Sequence, residues 1–447
     1  MSIQRSADLL IEARWVLPVE PAAALGDHAV AVTDGHIVAV GPSAELAARF
    51  APREHLTRAS HVLLPGLVNA HTRAGRTLLR GGAPLGLRMG MAPAAAAPAG
   101  AARAASEPAE ASWLGADLVR DGTQLAAAAM LRAGITSFGT RDLYPEEVAR
   151  VAAAARMRVA IGMPVEERAN AWAEDLTSHL AKAERLWDTY RSDPWVSLHF
   201  APDDASGLSD ATLAHIRTVA DELDARIAMP VHETEHEVRD SLARHGASSV
   251  RRLHALGLLR PGFTALYLNQ LDDSELELLA RTGIGVVACP QASLRRGLGS
   301  CRVHELLGRG IVVGLGTGGP MAAFTLDVLA EARAAALFTR AITRVPDALS
   351  AERVLRLATL GGATALGLGS IVGSIEPGKA ADLIAIDVGS IVGESDGSPA
   401  EAVVFAATCE DVTDVWINGA PRMTQGRLLA YDEDELLALA RRWERRL

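Results

Sequence analysis

Cysteine is almost missing from this chain. Cys289, Cys301 and Cys409 are the three in 447 residues, an odd number, widely spaced and without a CxxC pair, which argues against a disulfide framework and against structural zinc. Aromatic residues are scarce too, at 4%, and the Ala, Arg and Gly that abound in their place read as codon bias before they read as function. No basic block interrupts a net charge of −10, so nucleic acid is not an expected partner. No apolar run reaches about 18 residues, and the start, Met1-Ser2-Ile3-Gln4-Arg5, lacks a signal-peptide core, so neither membrane association nor export is expected. A reduced cytoplasm is the default compartment. What is present is ordinary for a globular protein: 49% apolar and 22% charged residues. The length suits one barrel of about 250 residues with a smaller domain beside it.

Both ends of the chain read as strands and turns. Leu9–Ala13, His28–Val32 and His36–Val40 are short apolar runs, and Asp34-Gly35 between the last two is a hairpin signal. Ala381–Asp387 and Val412–Gly419 have the same style. Neither end can bury a face alone, so the two are expected to share one small β-sandwich. Between them strands alternate with helical-period text such as Ala211 to Leu223 and Asp273 to Arg281, which argues for a parallel α/β domain. The runs at 63–70, 135–140, 158–165, 196–202, 226–233, 263–270, 283–290 and 311–317 supply eight strands. Eight such units predict a (β/α)8 TIM-like barrel with its site at the C-terminal strand ends. The expected organisation is residues 1–64 as the first part of the sandwich, 65–371 as the barrel, and 372–447 as the second part with a C-terminal helix. Residues 91–111, Ala/Pro-rich low-complexity text after the first barrel strand, are expected to form a mobile loop.

The most telling segment is Leu64-Pro-Gly-Leu-Val-Asn-Ala-His71-Thr-Arg73. A His-x-His pair at a strand end would put two imidazoles on one face, because strand side chains alternate. The second member here is Arg73, which stays protonated and cannot ligate a divalent cation. Together with His232-Glu233-Thr234, Leu315-Gly-Thr317, Ala358 to Gly367, and Gly373 to Asp382, this segment gives the chain its resemblance to the amidohydrolase superfamily. Within it the likeness is to 5-methylthioadenosine/S-adenosylhomocysteine deaminases of the triazine-hydrolase-like branch, over nearly the whole length. The resemblance implies one zinc or iron held by four histidines and an aspartate, which activates water against a purine or triazine carbon. Of those ligand positions His71 retains its residue. The others fall on Arg73, Pro230, Tyr267 and Gly318. Substrate-facing text departs as well, at Ala201-Pro-Asp203-Asp204-Ala-Ser-Gly207, at Pro290-Gln-Ala-Ser293 and at Ala322-Ala-Phe324. The losses share one face while the scaffold text is intact.

Two residues of chemical promise remain. On the resemblance Glu233 is the family's proton-shuttling carboxylate, and His232 is a neighbouring histidine that does not ligate. They read either as a metal-free acid/base pair or, the favoured alternative, as a salt-bridged carboxylate and a packed histidine. One Glu without a Lewis acid or oxyanion donors is poorly equipped to activate water. His71 reads as a hydrogen-bonded core residue and His199 as barrel filling. Asp203, Asp204, His232 and His236 fit no ligand spacing. Arg73 either turns inward to pair with Glu233, with Gly318 clearing space and Tyr267 filling the rest, or points to solvent.

The expectation is therefore a barrel without a bound metal that serves as a binding or assembly module, for a purine-like ligand, as a homodimer, or with an active paralogous subunit. The alternatives are an enzyme rebuilt to work without metal through Glu233, His232, Asp203 or Tyr267, and, weakest, a surviving hydrolase or deaminase of C–N bonds.

Overall fold

The computed structural model describes residues 4–80, 114–319, 324–389 and 397–447. The Ala/Pro-rich stretch 91–111 and the pair Ala322-Ala323 lie outside the described residues. Eight parallel strands form one sheet in chain order: β5 (Leu67–Thr72), β6 (Ile135–Thr140), β7 (Arg158–Val165), β8 (Val196–Pro202), β9 (Arg226–Val231), β10 (Phe263–Tyr267), β11 (Gly285–Ala288) and β12 (Val312–Leu315). A parallel bridge from Thr72 to Gly318 joins the last strand to the first. This is the expected barrel. Its helices begin where the sequence offers caps. Ser209 accepts from the Thr212 amide at the start of Asp210–Glu222, and Asp272 and Glu275 form a capping box at the start of Asp273–Leu279.

The strands of both termini combine, as expected, but in one continuous eight-stranded sheet and not in two separate ones. The early strands are β1 (Arg5–Val16), β2 (Leu25–Thr33), β3 (His36–Pro42) and β4 (Phe50–Pro65). The late strands are β13 (Leu383–Asp387), β14 (Val412–Ile417), β15 (Ala420–Thr424) and β16 (Arg427–Leu428). Their order is β16-β15-β14-β13-β4-β1-β2-β3, so β4 is the strand on which the two ends of the chain meet. The sheet's apolar face draws on both halves, with Leu9, Ile11 and Val30 packed in one cluster with Leu383, Ala385 and Trp416. The C-terminal helix, Glu433–Glu444, sets Leu439 and Trp443 against Leu79 and Leu118 of the barrel side.

The run expected as a single strand over 63–70 is two strands in different sheets. Gly66 is the break. Its N–H donates to the Asp382 carbonyl at 2.9 Å, while the next amide, of Leu67, donates to Gly134. A Cβ at position 66 would lie 2.1 Å from Thr136 Oγ1, so no larger residue fits where the chain crosses from one sheet to the other. The expected strands 226–233 and 263–270 also end early, because His232, Tyr267 and Leu268 have φ of 52°, 73° and 50°. Left-handed backbone ends strand pairing, so the motif residues sit on turns just past the strands. No helix among the described residues is long and apolar enough to cross a membrane.

Candidate functional site at the strand ends

The C-terminal ends of β5, β10 and β12 meet tightly. Asn69 and Thr317 exchange hydrogen bonds across the barrel seam, Nδ2 to Oγ1 at 2.9 Å and the Thr317 amide to Oδ1 at 3.1 Å. One step further on, the Gly318 amide donates to the His71 carbonyl at 2.9 Å. His71 is buried, and its Nε2 lies 3.4 Å from the Tyr267 hydroxyl. The two rings pack edge to face with centroids 5.5 Å apart. Gly318 has φ +65°, and a Cβ there would stand 3.2 Å from that hydroxyl. Three positions expected to converge do converge, and the tyrosine fills the space between them.

Arg73 is half-buried, its stem lying along Gly319, where a Cβ would be 3.5 Å from Arg73 Cδ. Its charge is felt nearby. Burial first, then Arg73, Arg141 and His199, push the His71 imidazole down to about 3, so it is uncharged at neutral pH. Burial raises the Tyr267 phenol above its ordinary value, with Glu233 adding to the rise and Arg73 opposing it. Pro230 is buried on β9 opposite Leu266 and offers no side-chain donor or acceptor.

The counter-charge expected for Glu233 was Arg73; on Glu233 Oε1 stands Arg296, a cation the sequence did not point to, at 2.5 Å. Arg296 closes the short helix Pro290–Arg295 that follows β11, and this turn carries it over the end of β9. His232 is fully buried and occupied on both nitrogens. Nδ1 lies 2.7 Å from the Gln270 carbonyl, and Nε2 accepts the Val250 amide at 3.3 Å. The carbonyl fixes the proton on Nδ1. Both ring nitrogens of His232 are therefore engaged within the fold.

Asp203 belongs to a buried ion-pair group at the ends of β6, β7 and β8. Arg141 reaches Glu166 at 3.0 Å and Asp203 at 3.1 Å, and Arg168 reaches Asp203 at 3.3 Å. Asp204 instead closes its own turn by accepting from the Ser206 hydroxyl and the Gly207 amide, both at 2.7 Å. Glu237 was not foreseen. Its two oxygens accept the backbone N–H groups of His232 and Glu233 at 2.9 and 2.8 Å, and burial raises it to about 7. The signal was available in Thr234-Glu-His-Glu237, since Thr at a helix start followed three residues later by Glu is a capping pattern. Arg296 and Arg141 carried no such signal.

A divalent cation does not fit these residues. Zinc needs three or four N, O or S ligands. Among the described residues no three of His, Cys, Asp and Glu converge in that way, and the Tyr267 hydroxyl stands against His71 Nε2 where a ligand's lone pair would have to point outward.

An eight-stranded parallel barrel, its site at the strand ends and a sheet assembled from both termini together define a class. The chain belongs to the amidohydrolase family, whose pattern matches residues 62–421. Among its relatives is a 5-methylthioadenosine/S-adenosylhomocysteine deaminase of Teredinibacter turnerae, 33% identical over 100% of this chain and 99% of that protein. Another so named, from Saccharophagus degradans, is 34% identical over 99% of this chain and 98% of its own. A solved adenosine deaminase of Xanthomonas campestris with bound zinc superposes with a TM-score of 0.93 at 38% identity, covering 99% of both chains. The zinc complex of the atrazine chlorohydrolase from Arthrobacter aurescens matches in fold, with a TM-score of 0.87 at 20% identity over 98% of this chain and 100% of its own.

Proposed function

We propose that this protein is a metal-independent member of the amidohydrolase family that binds a ligand without deaminating it. The observation that carries the reading is the contact of the Tyr267 hydroxyl with His71 Nε2 beside Gly318. Tyrosine occupies the point on which the strand ends converge, and glycine, arginine and proline stand at the neighbouring positions. Without a metal to lower its pKa, water is a poor nucleophile at neutral pH. The residues that could replace the metal as acid and base are engaged elsewhere, Glu233 with Arg296 and His232 with Gln270 and Val250. That engagement weighs against a rebuilt metal-free enzyme. A purine-like molecule, the class named for the relatives, would be held and released unchanged.

The test is elemental analysis of the purified protein together with ammonia release from methylthioadenosine, S-adenosylhomocysteine and adenosine. Neither bound metal nor ammonia is expected. Near-stoichiometric zinc, iron or manganese that depends on His71, or chelator-sensitive ammonia release, would overturn the proposal. Native mass spectrometry of protein taken from its own host would read oligomer, partner subunit and retained small molecule together.

A further inference from the structure

The interior of this barrel is hollow from beneath His71 down to the N-terminal strand ends. Barrel interiors are ordinarily filled by layers of branched side chains. Here the inward positions include Ala70, Gly139, Ala201, Ala228 and Thr264, and they enclose a cavity of about 300 Å³. The burial pattern has the corresponding inversion. On β8 the inward Ser197 and His199 are less buried than Leu198 between them, and on β9 Arg226 and Ala228 are less buried than Ile227. At the N-terminal strand ends, Arg191, Asp224 and Gly367 on the rim are exposed, whereas His71 and Ala70 at the other end are buried. The chamber therefore opens on the face away from the Glu233–Arg296 pair.

Its one cation of unusual setting is Arg226. Its Nη2 donates to the Ala365 carbonyl at 3.1 Å, and among the described residues it has no carboxylate partner. A guanidinium has five N–H donors, so a single carbonyl leaves most of them without a protein acceptor on the chamber wall. The position is shaped for the side chain: Gly367, at φ +81°, would put a Cβ 2.9 Å from Arg226 Cδ. Beside it His199 lines the same wall without a charge, pushed down to about 3 by burial and by Arg226. The remaining charged groups around the chamber are Arg141, held by Glu166 and Asp203, and Arg191, Asp193 and Asp224 at the rim. Asp193 is engaged with the amides of Trp195 and Val196. Leu266 and Leu366 supply apolar wall.

We propose that this inner chamber is a binding site for a small monocarboxylate with an apolar body, its carboxylate on Arg226. Arg226 is the guanidinium on the inner wall, Arg191 being exposed at the rim beside Asp193 and Asp224; one cation inside matches one negative charge, a planar carboxylate can accept from two of its N–H groups at once, and the leucine wall suits a short hydrocarbon or aromatic ring. The volume lies at the lower end of the range for small-molecule sites. The chamber reaches His71 and Arg141 at its inner end but opens on the opposite face, and Arg226 stands at the start of β9, so the assignment does not depend on whether the strand-end face retains chemistry.

Calorimetric titration of the full chain with benzoate, with benzyl alcohol as the uncharged counterpart, tests the assignment. Saturable benzoate binding is expected, weakened about tenfold or more by Arg226→Met, as the loss of a charge-assisted contact requires, and benzyl alcohol should bind no better than benzoate does to that variant. Ala228→Phe, which fills the chamber and leaves the charge in place, should abolish binding, and it carries the test if Arg226→Met fails to fold. Absence of saturable binding to the folded parent would overturn the proposal. So would benzoate affinity unchanged in either variant. None of these readings depends on metal content, so the chamber and the metal-free reading can fail separately.

Discussion

Adding a methyl group at position 318 should reveal what the tyrosine is doing. Gly318→Ala places a residue with a Cβ at φ +65°, which costs roughly 1–2 kcal/mol for an L-residue in left-handed backbone. The new Cβ would also stand 3.2 Å from Tyr267 Oη and 3.3 Å from Ala292 Cβ, so the hydroxyl must give way by a few tenths of an ångström. It has no free direction in which to do so, because it already rests 3.4 Å from His71 Nε2 in a fully packed setting. Loss of that contact adds about 1 kcal/mol, for a total near 2–3 kcal/mol. In a Tyr267→Phe background the hydroxyl is gone, and the same substitution should cost about 1 kcal/mol less. Urea unfolding followed by circular dichroism is the suitable assay, since a chain this long shifts its Tm by only about 1 °C per kcal/mol. If the two substitutions add to within about 0.3 kcal/mol, as independent sites do, then Tyr267 does not fill the space at Gly318 and the account of the site is wrong.

The combined change Arg73→His, Pro230→His, Tyr267→His and Gly318→Asp should create zinc binding measurable by plasma mass spectrometry, whereas Arg73→His alone should not, because two histidines are too few ligands. Arg296→Ala should destabilise the fold by about 1–2 kcal/mol, less than a wholly buried pair because the arginine is about a third exposed, and adding Glu233→Gln should recover part of the loss in the same urea assay. Glu237 and Glu331 are raised to about 7 and about 8 from 4.5, both by burial, so the folded state keeps protons that the unfolded chain has released. Their contribution is full below 4.5 and lost as pH rises through 7 to 8. His71 and His199, both lowered to about 3 from 6.5 by burial, act in the opposite sense and cost stability as pH falls below 6.5, offsetting the two glutamates between 4.5 and 6.5. The urea midpoint should therefore drop between about pH 6.5 and about pH 8.5, and Glu237→Gln with Glu331→Gln should flatten that drop; a midpoint constant over this interval in the parent would refute the assignment.

Strands bounded by ordinary turns were readable from the sequence: 135–140, 158–165 and 196–202 agree with the structure to the residue. The overrun at 226–233 and 263–270 has a definite cause. His232, Tyr267 and Leu268 take left-handed backbone without being glycine, and side-chain identity gives no warning of that. The meeting of His71, Tyr267 and Gly318 was legible because parallel barrel strands deliver their ends to one place. The contact of Arg296 with Glu233 was not, since Arg296 is 63 residues away and reaches it only through the way one short helix folds over a neighbouring strand. The inner chamber was missed for a related reason. Small residues at inward positions look like any alanine or glycine until the register shows that they face one another.

The crossing at Gly66 has a consequence for how this molecule can come apart. Its amide belongs to the terminal sheet through Asp382, and the next amide belongs to the barrel through Gly134. Asp382 is itself tied to the barrel by Arg158 at 3.0 Å. No slack separates the two sheets at this joint, so a strand that frays on one side pulls directly on a strand of the other. The two bodies of β-structure are joined without a linker, so melting or proteolytic opening at that joint is expected to be a single event shared by both.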